Sequence, residues 1–238
     1  MMISATTVHA LDDIGQRETE LRAAFQPGAA ATHSEIAAAA SIDRDVSPLS
    51  VASGGNAYFV VRDLNGRELF TRDGVFHIDN GTLVDRNGMP VLGYHRGDTL
   101  SPLTLDPIDD ALGRIRNLRI EADGSVAYDK ATIDPVTRQT ERARVVVGKI
   151  ALARFSAATR LEPIDQTRWR APHGIPPHLG VAADENFPAL VTHAHRRSGI
   201  DPLAGIDRLQ ESYLAFDALR AAHNAQGKAE KIAMDLLK

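Results

Sequence analysis

The chain has 238 residues, no cysteine and a formal net charge of -4, from 27 Lys and Arg against 31 Asp and Glu. That length allows one good core or two modest domains, and the missing cysteine excludes a disulfide framework, a thiolate metal site and a cysteine nucleophile. Nothing in this mildly acidic balance suggests a surface for nucleic acid or an anionic membrane, so the expected partner is protein.

The opening residues carry no basic stretch ahead of a long apolar run, because Asp12 and Asp13 interrupt it, so no cleavable signal peptide is expected. Nor does any window approach the ~18 consecutive apolar residues of a membrane-spanning helix. From Val8 to Phe25 the residues Leu11, Ile14, Leu21 and Phe25 mark one face of a helix, with Glu18 in the heptad slot between them. Asp12, Asp13, Arg17, Glu20 and Arg22 are assigned to the opposite face, and Gln26-Pro27-Gly28 ends the helix. Ala29 to Ser41 is alanine-rich and reads either as a short helix capped by Ser34 or as a linker.

The texture then changes to short apolar runs separated by turn residues. Strands are expected over Tyr58 to Arg62, Glu68 to Thr71, Val75 to Ile78, Leu118 to Glu121, Val126 to Tyr128 and Arg144 to Phe155. Asn65-Gly66, Asp73-Gly74, Asn80-Gly81, Asn87-Gly88 and Asp123-Gly124 stand between them. Each is a signal for a type I′ hairpin turn, so Gly66, Gly74, Gly81, Gly88 and Gly124 are the structural turn glycines, and Gly74 is expected at positive φ. Ile133-Asp134-Pro135 opens a further turn. Pro163 to Pro188 holds five prolines and is expected as an irregular strip over the sheet rather than a central strand. Tyr58 and Trp169 are the aromatic anchors of core or strip.

The C-terminal segment returns to helix, with Ile206, Leu209, Tyr213 and Phe216 at steps of three and four. Leu219, Ile232, Met234, Leu236 and Leu237 continue an apolar surface beside small alanines, which lets a neighbouring backbone approach closely. The expected fold is therefore mainly β with terminal α-helices, the two helices pairing in a coiled-coil-like manner. The expected division is 1–47 for the N-terminal helix and linker, 48–190 for the β domain and 191–238 for the linker and C-terminal helix.

Candidate chemistry is sparse. His193 and His195 stand two apart, as metal ligands on a strand would, but no third ligand is near and Arg196 and Arg197 disfavour a cation, so a solvated linker is the reading. Asp79, Asn80, Asp85 and Asn87 lack the spacing and terminal glutamate of an EF-hand and read as turns. Ser53-Gly54-Gly55 is too short for a phosphate loop, and no Ser, His and Asp arrangement can be singled out. No catalytic residue, cofactor, metal or small-molecule substrate is expected.

Thr71 to Tyr94, TRDGVFHIDNGTLVDRNGMPVLGY, follows the strand NAYFVV and resembles the signature of bacterial flagellar rod and hook proteins. The likeness continues more loosely through Asn117 to Asp129 and Val145 to Ile164. It implies a rod/hook-type β domain facing outward and terminal helices forming the inner tube of an axial filament. Leu11, Ile14, Leu21, Phe25, Ile206, Leu209, Tyr213, Phe216, Leu219, Ile232 and Leu236 would then form the assembly interface. The implied protein is a rod-like axial subunit of the basal body, exported by the flagellar type III apparatus, with itself and other axial proteins as partners. Where the family carries an asparagine-rich motif after the first helix, this chain reads FQPGAAATHSEIAAAAS, which leaves two readings: an axial subunit with a different neighbour, or a non-polymerising paralogue that acts as an interaction or assembly-regulating module. In the second, Tyr213 and Phe216 would pack on Leu11, Ile14 and Leu21 of their own chain.

Overall fold

The structure, a computed structural model, describes residues 5–30, 41–95, 99–133 and 140–236. The chain divides into two compact units, one of residues 1–25, 31–38 and 199–238, the other of residues 26–30 and 39–198. Most of Ala29 to Ser41, the turn at Asp134-Pro135, and Leu237 fall outside the described residues.

The first unit contains α1 (Ala5–Ala23) and its C-terminal helix Pro202–Leu236. The N-terminal helix ends two residues before Phe25, which is left exposed, since Pro27 disfavours helical backbone before it and Gly28 turns the chain at φ +71°. Glu20 and Arg17, assigned to the face opposite the apolar residues, do not both lie in water. Glu20 is buried and Arg17 lies beside it at 3.6 Å, so the charge leaves water with a counter-ion rather than alone.

In the second unit the strands run in chain order β1 (Ile42–Arg44), β2 (Val51–Ala52), β3 (Tyr58–Arg62), β4 (Glu68–Thr71), β5 (His77–Asp79), β6 (Thr82–Val84), β7 (Leu92–Tyr94) and β8 (Leu100–Pro102). After the short α2 (Pro107–Ala111) come β9 (Ile115–Ile120), β10 (Ser125–Ile133), β11 (Thr140–Arg154), β12 (Glu162–Pro163), β13 (Arg168–Arg170), β14 (His178–Val181), β15 (Val191–Thr192) and β16 (Ala194–Arg196). The helix Pro202–Leu236 is α3. The main sheet has the order β12-β13-β4-β3-β11-β10-β9, with β14 and β7 also on β11, and β8 on β7. Smaller antiparallel pairs join β1 to β16, β2 to β15 and β5 to β6.

Alternation along β3 divides the core. Phe59 and Val61 enter a cluster with Phe76, Leu83, Leu103 and Leu152, in which Phe59 and Phe76 meet edge-on at 5.1 Å. Val60 faces the other way, with Phe70, Leu92 and Ala151, and Phe70 meets Phe155 edge-on at 4.8 Å. Tyr58 and Trp169 are half-buried on that second face, rings 5.7 Å apart, with the Arg72 guanidinium 4.5 Å over Tyr58.

The proline-rich strip is more ordered than expected. It contributes β12, β13 and β14, with Pro163 at the sheet's outer strand where a missing N–H is tolerated, and the remaining prolines lie between or after the strands.

Four of the five turn signals mark hairpins, of which only one is type I′, while Asp73-Gly74 lies between β4 and β5, which do not pair with each other. Asn80 and Gly81 both have positive φ, 45° and 74°, as that turn requires. At Gly66, Gly88 and Gly124 only the glycine does. Here the glycine N–H bonds the carbonyl three residues back, to Asp63, Asp85 and Glu121 at 2.9–3.0 Å. The same three residues donate their own N–H to Arg67, Met89 and Ser125, which is a type I turn closed by a glycine bulge. At two of these three turns a carboxylate favours this loop. Asp63 Oδ1 accepts from the N–H of Asn65 and Arg67, and Asp85 Oδ1 from Asn87 and Met89, which favours the type I loop.

Gly74 is a correction, as its φ is not positive. The glycine is required by crowding: a Cβ there would lie 1.8 Å from the Val51 carbonyl oxygen and 2.9 Å from the Phe59 ring.

Candidate assembly surface

The helical unit puts Ile14 in a buried position at 6 % exposure, with Leu21, Leu209 and Phe216 half-buried. Leu11, Phe25, Ile206, Tyr213, Leu219, Ile232 and Leu236 are exposed. From Asp217 to Leu236 every described side chain of α3 is exposed, Leu236 at 81 %. A helix of that kind gains no burial from its own apolar residues, and an unsupported helix is marginal in water.

Polar groups join the two helices, at Ser212 and Asp13 off the expected apolar faces and at Tyr213 and Glu18 on them. Ser212 Oγ donates to Asp13 Oδ2 at 2.6 Å, and Tyr213 Oη donates to Glu18 Oε1 at 2.7 Å. The bond from Tyr213 raises the tyrosine pKa, since the carboxylate beside it favours the protonated phenol. Glu18 in a heptad slot was the signal for this contact: a carboxylate among apolar knobs requires a donor opposite. Nearby, a Cβ on Gly205 would lie 3.3 Å from Leu21 Cδ1, so the Leu21 side chain packs against the bare backbone of α3 there.

In the β unit the polar clusters serve the fold. Asp109 is buried and accepts the Tyr128 hydroxyl at 2.8 Å while Lys130 Nζ lies 2.6 Å away; the Lys130 bond chiefly holds its carboxyl below the ordinary range. Asp73 is buried with Arg86 Nε 3.4 Å away, and desolvation outweighs that neighbour and pushes its carboxyl up to about 6. Asp85, also buried, is raised by desolvation too.

His193 stands outside the strand at φ +51°, while His195 lies on β16 with Nδ1 3.6 Å from Asp45 Oδ2. Among the described residues no three His, Asp or Glu side chains are grouped to hold a metal, and no helix is long and apolar enough to cross a membrane.

Residues 52–128 match the family model described as the flagellar hook protein FlgE/F/G D1 domain. The matched segment runs from β2 into β10, about a third of the chain, and includes all five turn glycines. No curated protein matches the chain significantly.

Proposed function

From a chain that is a flagellar rod/hook family protein by its D1 domain, we propose a rod-like axial structural subunit of the flagellar basal body. It acts by self-association through its terminal helices, in coiled-coil-like packing, and reaches its site through the flagellum's own type III export apparatus. The observation that carries this reading is the exposed apolar surface of α3, with Leu214, Leu219, Ile232 and Leu236 uncovered on a helix 35 residues long. Burial against neighbouring subunits would stabilise such a surface by about 25 cal/mol for each Å² of apolar area. Its partners are further copies and other axial proteins, and neither a catalytic step nor a cofactor enters the mechanism.

Replacing Leu209, Tyr213 and Phe216 together by serine tests it. These residues lie on α3, outside the β unit, so the β unit should fold as before. Cells carrying only this variant should make no functional rod and be non-motile. Full motility with normal rods would overturn the axial-subunit reading. The second reading, a non-polymerising paralogue that regulates assembly, is favoured by FQPGAAATHSEIAAAAS in place of the asparagine-rich motif. Retained motility after deletion of the gene would select it.

A further inference from the structure

β11 is paired unevenly along its two edges. One edge carries β10 over Thr140–Lys149 and then β14 over Ala151–Arg154. The other carries β7 at Lys149 and Ile150 and β3 at Leu152 and Ala153. Among the described residues no strand pairs with that second edge from Thr140 to Gly148. His95 closes its inner end, with ring nitrogens 2.9 Å from the carbonyl oxygens of Val147 and Pro102.

The alternation of an antiparallel ladder fixes which main-chain groups face outward. The Ala131 N–H bonds the Arg114 carbonyl at 2.9 Å, toward β9, so Lys130 turns its main-chain groups to β11 and engages Ala143. Ala143 and Val145 are thus committed to β10, and the N–H and C=O of Arg142 and Arg144 face the open edge. A recess of about 450 Å³ lies over this part of β11, lined from both sides of the strand by Tyr94, His95, Arg144, Val145, Val147 and Val181.

Charge identifies the occupant. Arg142 and Arg144 stand on one face, in register with Ala131 and Asp129. Arg144 is held by Glu121 at 2.6 Å, whereas Arg142 is exposed and makes no ion pair to a described residue. Arg142 also lines a second recess of about 420 Å³ with Arg114 and Arg116, and Arg116 bonds the carbonyls of Gly113 and Ile115 at 2.9 and 2.8 Å. The opposite face of the strand offers Ala143 and Val145, with the exposed Glu141 at its outer end. A second copy fits poorly, since antiparallel pairing about Arg144 or Ala143 sets arginine opposite arginine.

We propose that the open edge of β11, Thr140 to Val146, receives an extended acidic segment of a partner protein by strand addition. Its acidic side chains alternate over Arg142 and Arg144, and its apolar ones over Ala143 and Val145. Main-chain bonds supply affinity and the arginines supply selection. The proposal rests on the β unit alone and stands whether or not the terminal helices assemble. Exposed arginines can also guard an edge against pairing, and the experiment separates the two roles.

A fluorescein-labelled seven-residue peptide alternating glutamate and valine, added to the full chain, should give saturable anisotropy. The same peptide N-methylated at alternate residues, unable to donate to the edge, should not bind. Arg142→Glu should weaken binding by about tenfold or more. Arg144→Pro, which deletes one outward N–H, should abolish binding while leaving the β10 ladder intact; the methylated peptide gives the same information without altering the protein. Absence of saturable binding, equal binding of the methylated peptide, indifference to Arg142→Glu, or equal binding of a lysine–valine peptide would each overturn the proposal. Dimerisation of the chain that Arg144→Pro dissolves would do so too, by giving the edge to a second copy.

Discussion

At Gly74 the residue identity is set by the backbone opposite, since the Val51 N–H bonds the Gly74 carbonyl at 2.9 Å and the Val51 oxygen occupies the place of a Cβ. Gly74→Ala should therefore destabilise by on the order of 3 kcal/mol, because a carbonyl held in a ladder cannot swing aside as a side chain can. Gly15 is the contrast. Nothing lies within 4 Å of its virtual Cβ and it sits inside α1, so Gly15→Ala should add about 0.5–1 kcal/mol. Equal melting shifts for the two variants would refute the distinction. Asp73 adds a pH term with a definite sign. Its folded pKa, about 6, lies above the model-peptide value of 3.8, so the native state binds more protons between those values and stability falls as pH rises through the window. About two units correspond to roughly 3 kcal/mol at most, fully expressed above pH ~6. Asp73→Asn removes that charge, so denaturant titrations should show its stability relative to wild type rising from pH ~4 to ~7 and then levelling. A difference that is flat with pH would show that Asp73 titrates normally.

Strands were legible where local pattern and local pairing coincide. β3 and β4 fall on the expected residues because Tyr58 to Arg62 and Glu68 to Thr71 are short apolar runs bounded by turn residues and joined by a turn of adjacent residues. The turn class was missed because Asn-Gly was read without the Asp two residues ahead of it, yet that Asp captures the N–H groups that make the type I loop favourable. Asp63→Ala should therefore cost about 0.5–1.5 kcal/mol at its exposed turn, and Asp85→Ala more, about 1–3 kcal/mol, since Asp85 is buried and its loss strands two donors. If urea midpoints of both variants match wild type, the carboxylates are not what selects the turn. β1 with β16 and β2 with β15 were not legible at all. Each is two or three residues long, too short for a period, and each pairs with a segment about 140 or 150 positions away. The assembly surface was partly legible: apolar spacing marked α3 and the heptad slot marked Glu18, but which residues of α3 are covered depends on α1, and the polar link Ser212 to Asp13 carries no periodic signature.

For the whole molecule, the division into units makes a claim about cooperativity. Residues 39–198 hold both core clusters and every strand of the described sheets, and their pairs close on themselves, β1 on β16 and β2 on β15 near the two ends of the segment. A fragment of residues 39–198 should therefore unfold in one cooperative transition without either terminal helix, as small domains with their own core do. Among the described residues of the helical unit, Ile14, Ala23, Ala24 and Ile200 are the buried apolar ones, while most of α3 is exposed. If assembly resides in those helices, the fragment should remain monomeric in sedimentation velocity at concentrations where the full chain associates. A fragment without a cooperative transition would show that the helices belong to the same folding unit. A fragment that folds and associates as strongly as the full chain would move the self-association surface from α1 and α3 to the β unit.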